Sequence, residues 1–568
     1  MKAKSLVVLG LFVLSALMAT AMLSRRSLED HECFVSVTAR EMLQNGNWVL
    51  PTLNGNLRIN KTPLPYWLVG CLSKATGAID EFTTRFPSAV FAFLSAAAML
   101  FFVKKFLSFR TAVISTAVWT TSFGYFYASH TGRADMALTF FVTVCFLAFY
   151  AAITSQSRRE QIIYMLVFWI SLSIGMLAKG PAPLPYVFIP LFFYAAIERK
   201  WRLIPKLLPI AGAAIFLIIV LPWPLFIAQK MDWNLVLWKK EFIDRLFGEY
   251  VPGNYPIYYY VLIIFKYMTP WFILLPASLA APFYSAWGEK RPVMKFFWFW
   301  FAANFVFLTI DGCKRQHYLF PLLPPVTVLI GVILEDLVFD KRAFTPKLAR
   351  NILIAQFIAV LLFIAAGIVF VILQAHDSII ETTAAGLIAI AAIIAAFLLA
   401  GKNKQAISTI AGFAGIAVWS FVFYTTFWIA TDIDAPPRDF AKTLVTIIPK
   451  SDQLVAYKKV SIKTVQYYGK VIPEVNDTNE LYKRYESGEW VLCDSEFLNE
   501  LNIRLQMREV YSKDKKIDEK KSGSSGVLFH KTAPVTPGAG KAALRPAPLN
   551  NEGIIYKATW AGAQKIPQ

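Results

Sequence analysis

Between residues 6 and 430 the sequence is a succession of apolar runs. Most approach the roughly 20 residues that an α-helix needs to cross a hydrocarbon layer about 30 Å thick. They fall near 6–24, 87–103, 111–129, 134–153, 162–178, 181–197, 207–228, 259–283, 295–310, 318–338, 352–373, 379–400 and 407–430, about thirteen candidate spans. The stretch 162–197 is one apolar run broken at Lys179-Gly180-Pro181, where proline cannot extend the helix ladder. Only 17% of the residues are charged, against roughly 25% in a soluble domain, so 47 Phe and 16 Trp cannot be hidden behind polar surface. The chain reads as an all-α polytopic membrane protein. That excludes a cytosolic enzyme and a disordered scaffold. A disulfide-stapled secreted module is excluded too, because the five Cys (33, 71, 145, 313 and 493) have no paired spacing and lie mostly in apolar runs.

The net charge of +20 sits in short clusters between the runs, which suits membrane topology better than nucleic acid. Lys and Arg gather in alternate loops: at 2 and 4, at 104, 105 and 110, at 158 and 159, at 199–206, at 290–295, at 341–350, and at 402 and 404. Those loops are expected inside, which places the N-terminus inside and everything from about 431 outside. Residues 1–24 have the look of a signal peptide, but removing them would leave the remaining topology unchanged. The reading divides the chain into a membrane domain, 1–430, whose first outer loop is 25–86, a small α/β domain at 431–531, and a disordered Ala/Pro/Gly-rich tail at 532–568. In the first loop, 31–43 sets Phe34, Val35, Thr38, Ala39 and Met42 opposite Arg40 and Glu41, an amphipathic helix suited to a membrane surface. A second outer loop spans 229–258. Within 431–531, strands are expected at 453–456, 464–468 and 489–493 and a helix at 478–486.

Charged residues beside hydrocarbon are expensive and mark function by default. On the expected outer side lie Glu29-Asp30-His31-Glu32, Arg133 and Asp135 at the start of the fourth run, and Lys179 between the fifth and sixth. Asn60-Lys61-Thr62-Pro63 and Asp311 to Tyr318, with Lys314, Arg315 and His317, lie there as well. Arg133, Lys179, Lys314 and Arg315 run against the positive-inside trend, and an anionic phosphate at that surface would hold them, arginine as a forked donor and lysine as a point charge. Headgroup snorkelling and structural ion pairs are the competing explanation. Carboxylates beside such cations suit acid–base chemistry, in which Asp or Glu takes a proton from an attacking hydroxyl while the cations stabilise a departing phosphate. The sequence has no Walker loop, dinucleotide-binding glycine run, HExxH or nucleophile elbow. Asp30, His31 and Glu32 are metal-ligand types, but three adjacent residues cannot face one ion without distorting the backbone. A divalent metal is the one cofactor left open.

Thr38-Ala39-Arg40-Glu41-Met42-Leu43, Gly46 to Gly55 and Lys61-Thr62-Pro63-Leu64-Pro65-Tyr66-Trp67 resemble the first outer loop of the aminoarabinose transferase (ArnT) family. That family is related to the protein O-mannosyltransferases and has the membrane GT-C glycosyltransferase fold. Glu81-Phe82, Arg85 to Ala89, Arg133 to Thr139, Ala178 to Pro181 and Lys314 to Pro324 continue the resemblance in order, across roughly 25–330. The resemblance implies a bacterial inner-membrane enzyme that works on the periplasmic side and transfers a sugar, with inversion, from an undecaprenyl phosphate carrier. The acceptor would be lipid A of lipopolysaccharide, another glycolipid or a protein, and the partners would be that donor, the acceptor and membrane lipids, with no nucleic acid.

The resemblance also implies a first-loop Asp as base, Asp135 as an organising residue, Lys61, Arg133 and Lys179 on the carrier phosphate, and Lys314, Arg315, His317 and Tyr318 closing the donor pocket. Counting back from Met42, the family's Asp-Glu pair falls on His31-Glu32, with Asp30 one position earlier. The base role is ranked Asp30, then Glu32, then His31. Asn60 stands where the lipid A enzymes carry Glu before Lys-Pro-Pro. Tyr258, Tyr259 and Tyr260 read as an interfacial aromatic belt. A lipid-linked sugar transporter or flippase, which would need ionisable groups near mid-membrane and matched halves, and a non-catalytic envelope-assembly protein are the alternatives.

Overall fold

Hydroxyl side chains cap the start of four of the helices. In the computed structural model, which describes residues 2–203, 205–230, 255–312, 314–401, 404–494, 497, 509–514, 526–529, 555–559 and 562–566, Ser108 accepts the Thr111 N–H at the head of Phe109–Thr121. Ser157 and Thr345 do the same for Arg158–Lys179 and Pro346–Gln374. Cys313, residues 231–254 of the second outer loop and most of 532–568 lie outside the described residues.

Among the described residues, eight helices are long and apolar enough to cross a membrane: Glu81–Phe106, Asp135–Thr154, Arg158–Lys179, Ser285–Ile310, Gln316–Asp340, Pro346–Gln374, His376–Leu399 and Gln405–Ala430. Trp201–Leu207 and Pro209–Val220, bent by 47°, would together make a ninth. Lys4–Thr20, Pro183–Ile197 and Phe272–Phe283 are shorter apolar helices. The chain is a multi-pass membrane protein. Every run expected to span is helical, but several are interrupted, so fewer continuous helices result than the thirteen runs suggest. The run 111–129 breaks at Ser122, which sits in extended conformation (φ −74, ψ 145) and caps both Phe109–Thr121 and Phe123–Ser129. In 259–283, Pro270, Pro276 and Pro282 divide the run into short helical pieces.

Small residues and buried hydrogen bonds hold the membrane helices together, as expected where lipid is as apolar as leucine. Gly331 in Leu323–Glu335 lies so close to the next helix that a Cβ there would stand 2.9 Å from the Ser115 backbone nitrogen. Asn304 donates to the Tyr186 carbonyl at 2.9 Å, Trp119 to the Ser95 hydroxyl at 2.9 Å and Trp271 to the Thr121 hydroxyl at 2.9 Å.

The chain divides into two compact units, one of Met1–Leu23, Ile59–Leu72 and Phe82–Thr431, the other of Ser24–Arg58, Ser73–Glu81 and Asp432–Gln568. Most of the first outer loop therefore goes with the C-terminal region. In this second unit the strand Leu454–Tyr457 pairs in parallel with Glu474–Val475 and Trp490–Asp494. Parallel neighbours require crossovers, and Ile462–Tyr468 and Thr478–Glu486 supply them as helices. The strand expected at 464–468 is thus a helix. Its β-type residues Thr464, Val465, Tyr467 and Tyr468 are overridden by the crossover, and Gly469 ends the helix at φ +86. The sheet continues through Gly526–Phe529 and Glu509–Asp514 to Ile555–Thr559 and Gly562–Ile566, two strands of the tail that pair antiparallel.

The first-loop helix, Asp30–Asn45, packs on Ile462–Tyr468, and its Val37 joins a core with Phe440, Leu444, Leu454, Val465, Ile472 and Trp490. Arg40 and Glu41, expected on a polar outer face, are 8% and 2% exposed. Arg40 donates to the Gln466 and Val465 carbonyls at 2.8 and 2.9 Å, and burial pulls its pKa down to about 10. Glu41 accepts from the Thr52 hydroxyl and the Asn54 and Gly55 N–H groups, so it shapes the hairpin turn at 52–57.

The Gly331 contact makes a direct test of the helix packing. Gly331→Ala should lower the stability of the solubilised protein by about 1–3 kcal/mol, the usual cost of overpacking. Gly10→Ala, where a Cβ meets nothing within 4 Å, should not. Paired thermal melts in detergent measure both.

Candidate active site

Asp135 occupies the first turn of Asp135–Thr154, where the helix dipole favours an anion, and it is 4% exposed. Lys179 ends the neighbouring helix Arg158–Lys179 and forms an ion pair with Asp135. Gly180 follows at φ 60, ψ −147, a conformation that glycine alone adopts freely, so the helix stops with the ammonium at its C-terminal end. The ammonium also lies 5.3 Å from the centre of the Tyr318 ring. His317 Nε2 is 4.0 Å from Asp135 Oδ1, and Arg133 Nη1 is 3.5 Å from His317 Nδ1. Ser88 donates to the Arg133 carbonyl, and a Cβ on Gly132 would stand 2.8 Å from the Thr84 carbonyl oxygen, so the chain passes close to its neighbour just before Arg133. The membrane unit thus gathers Arg133, Asp135, Lys179, His317 and Tyr318. An ammonium, a guanidinium and an imidazole gather beside one carboxylate, donor types that can bind an anion.

Other contacts hold the remaining residues expected on the donor side. Lys314 is buried and donates to the Asp311 carbonyl at 3.0 Å, while the Arg315 N–H donates to the Tyr260 hydroxyl at 3.1 Å. Lys61 is half-buried and precedes the helix Leu64–Thr76. Tyr260 is fully buried, unlike Tyr258, so the belt reading fits Tyr258 and not Tyr260. Tyr260 instead fixes the backbone of the 314–318 segment, and Tyr186 does the same by donating to the Tyr318 carbonyl at 2.7 Å.

The carboxylates of the first loop belong to the second unit. Glu29 caps Asp30–Asn45, and Glu32 completes a capping box by accepting the Glu29 N–H at 3.0 Å. Glu32 is 1% exposed, whereas the Asp30 side chain is half exposed and pairs with Lys463 at 3.2 Å. His31 is exposed and meets the Phe34 ring edge-on. The structure therefore does not bring Asp30 and Glu32 to one point. Among the described residues, no group of three or more His, Cys, Asp or Glu is placed to hold a metal ion.

Sequence reading missed Lys266, which lies 5.8–5.9 Å from the Phe123, Tyr127 and Tyr267 rings and donates to Gln316 at 3.3 Å. It also missed the structural work of Arg85 and His130. These two bond the Leu23 and Ala21 carbonyls just beyond the first helix, Arg85 donating at 2.8 Å and His130 Nε2 lying at 2.6 Å. Helix ends need such partners, but the pairing is non-local and leaves no spacing signal.

The Asp135–Lys179 pair should behave as a coupled unit. Asp135→Asn, which strands a mostly buried ammonium, should cost about 3 kcal/mol of stability. Adding Lys179→Met should recover part of that loss, measured by a double-mutant cycle of thermal melts in detergent.

A family model described as dolichyl-phosphate-mannose-protein mannosyltransferase matches residues 36–232. A Proteus mirabilis (strain HI4320) protein named undecaprenyl phosphate-alpha-4-amino-4-deoxy-L-arabinose arabinosyl transferase 2 is 26% identical over 365 residues, 62% of this chain and 63% of that protein. A similarly named Pseudomonas aeruginosa (strain UCBPP-PA14) transferase is 28% identical over 301 residues, 52% of this chain and 53% of its own length. The chain thus spans between about half and 63% of the length of these curated relatives. The crystal structure of ArnT from Cupriavidus metallidurans in the apo state superposes with a TM-score of 0.77 at 18% identity, covering 93% of this chain and 98% of that one. The same protein bound to undecaprenyl phosphate gives 0.74 at 17%, covering 92% and 97%. The chain has the fold of ArnT, the GT-C type of membrane architecture to which its first-loop motifs point.

Proposed function

We propose that this chain is an inverting membrane glycosyltransferase. It takes a sugar from a polyprenyl (undecaprenyl) phosphate carrier and passes it to an envelope acceptor such as lipid A, another glycolipid or a protein. The observation that carries this reading is the group formed by Arg133, Asp135, Lys179 and His317, cations gathered round one buried carboxylate at the ends of membrane helices. The names of the relatives and the ArnT fold support it. In the proposed reaction an acceptor hydroxyl gives its proton to Asp30 and its oxygen attacks the anomeric carbon. The bond from that carbon to the carrier phosphate breaks, and the phosphate leaves as an anion. Lys179, Arg133 and Lys61 bind that phosphate, Asp135 aims Lys179, and Lys314, Arg315, His317 and Tyr318 close the donor side. The capping bond of Glu32 supports an orienting role for it, and the exposure of Asp30 supports the base. The alternation of basic loops supports a bacterial inner-membrane protein with the first loop and the C-terminal region on the periplasmic side.

Membranes containing the protein should transfer label from a radiolabelled polyprenyl phosphate sugar, and lipid-linked sugar movement without transfer would favour the flippase. Lys179→Ala should cut kcat/KM for the lipid donor by about tenfold or more, equivalent to about 1.4 kcal/mol, and Lys179→Arg should recover only part. Asp30→Asn should abolish turnover while leaving carrier binding largely intact, with Glu32→Gln milder; the reverse order would move the base to Glu32. In intact cells a cysteine introduced at 470 should react with an impermeant thiol reagent and one at 202 should not.

A further inference from the structure

The turn that carries the proposed base is tied at several points to the C-terminal part of the second unit. Asp432 accepts from both the N–H and the hydroxyl of Ser27 at 2.9 Å. The Leu28 N–H donates to the Tyr467 hydroxyl at 2.7 Å, and that hydroxyl donates to Glu81 at 3.0 Å. Lys463, whose side chain is 6% exposed, bridges Asp434 at 2.7 Å and Asp30 at 3.2 Å. Six residues further on, Ser36 bonds Gln466 at 2.8 Å. The side chains of Ser27, Asp30 and Ser36 and the Leu28 N–H thus meet one helix, Ile462–Tyr468, and the turn at 432–434. Burial alone would lower the Lys463 pKa, but its two carboxylates outweigh burial and raise it, so the ammonium keeps its charge.

We infer that the C-terminal region is a positioning module for the acid–base turn and that Lys463 is the positioning residue that aims Asp30. The inference rests on Asp30 as base and adds a role for the region beyond residue 431. The charged and titratable groups around Asp30 are Lys463 and, through it, Asp434, which has Arg26 nearby. On its own helix they are Glu29, His31, Glu32 and the buried Cys33 thiol. Removing the ammonium takes away the contact that fixes the direction of the Asp30 carboxylate.

Full-length Lys463→Met should lower kcat by about tenfold or more, with KM for the lipid donor within about twofold of wild type. Lys463→Arg should restore most of kcat. Tyr467→Phe, which removes the hydroxyl under Leu28, should lower kcat by a smaller factor, also without raising KM. A folded Lys463→Met enzyme with wild-type kcat, alongside an inactive Asp30→Asn, overturns the positioning role alone. An active Asp30→Asn overturns the base reading itself. If Lys463→Met does not fold, the outcome passes to Tyr467→Phe: a lowered kcat with unchanged KM supports the role, and a wild-type kcat overturns it.

Discussion

The ion pair of Asp135 and Lys179 draws the ends of two membrane helices together, and the aromatic face of Tyr318 brings a third segment to the same ammonium. Either charge alone beside hydrocarbon would be costly, and a mostly buried pair repays that cost only with good geometry and further partners. Here those partners are supplied in order. Gly180 lets the helix end at the lysine, the helix dipole supports the aspartate, and Tyr186 and Tyr260 fix the backbone of the segment that presents His317 and Tyr318. The Arg133 guanidinium and the His317 imidazole stand beside the pair.

The second unit solves a different problem. A helix as short as Asp30–Asn45 is marginal on its own, and its stability must come from packing and from satisfying its first turn. The capping box of Glu29 and Glu32 closes that turn, Arg40 and Glu41 are spent on neighbouring backbone, and the contacts of Lys463, Gln466 and Tyr467 fix the rest. Two of the most recognisable residues of the first-loop motif, Arg40 and Glu41, are therefore structural.

Some of this was legible from spacing. The break at Lys179-Gly180-Pro181, the helix in the first loop and the charge against trend at Arg133 and Lys179 all follow from local rules about proline, glycine and the membrane. The strand reading of 464–468 failed because β-type side chains fit a helix when two parallel strands must be joined through it. Tyr260 failed as an interfacial residue because its hydroxyl is claimed by a backbone N–H fifty-five residues away. Lys463 gave no signal, since a lysine in a soluble stretch is ordinarily solvated.

The sequence by itself determined that this chain lives in a membrane, roughly where its helices run, and which unusual charges call for an explanation, because burying apolar area and avoiding unpaired charge in lipid are constraints read residue by residue. Only the tertiary structure decided which charges meet. Asp135 finds Lys179 across 44 residues and Asp30 finds Lys463 across more than 400. Pairings of that range depend on how helices pack and on which backbone groups still need a partner, and no local pattern encodes either.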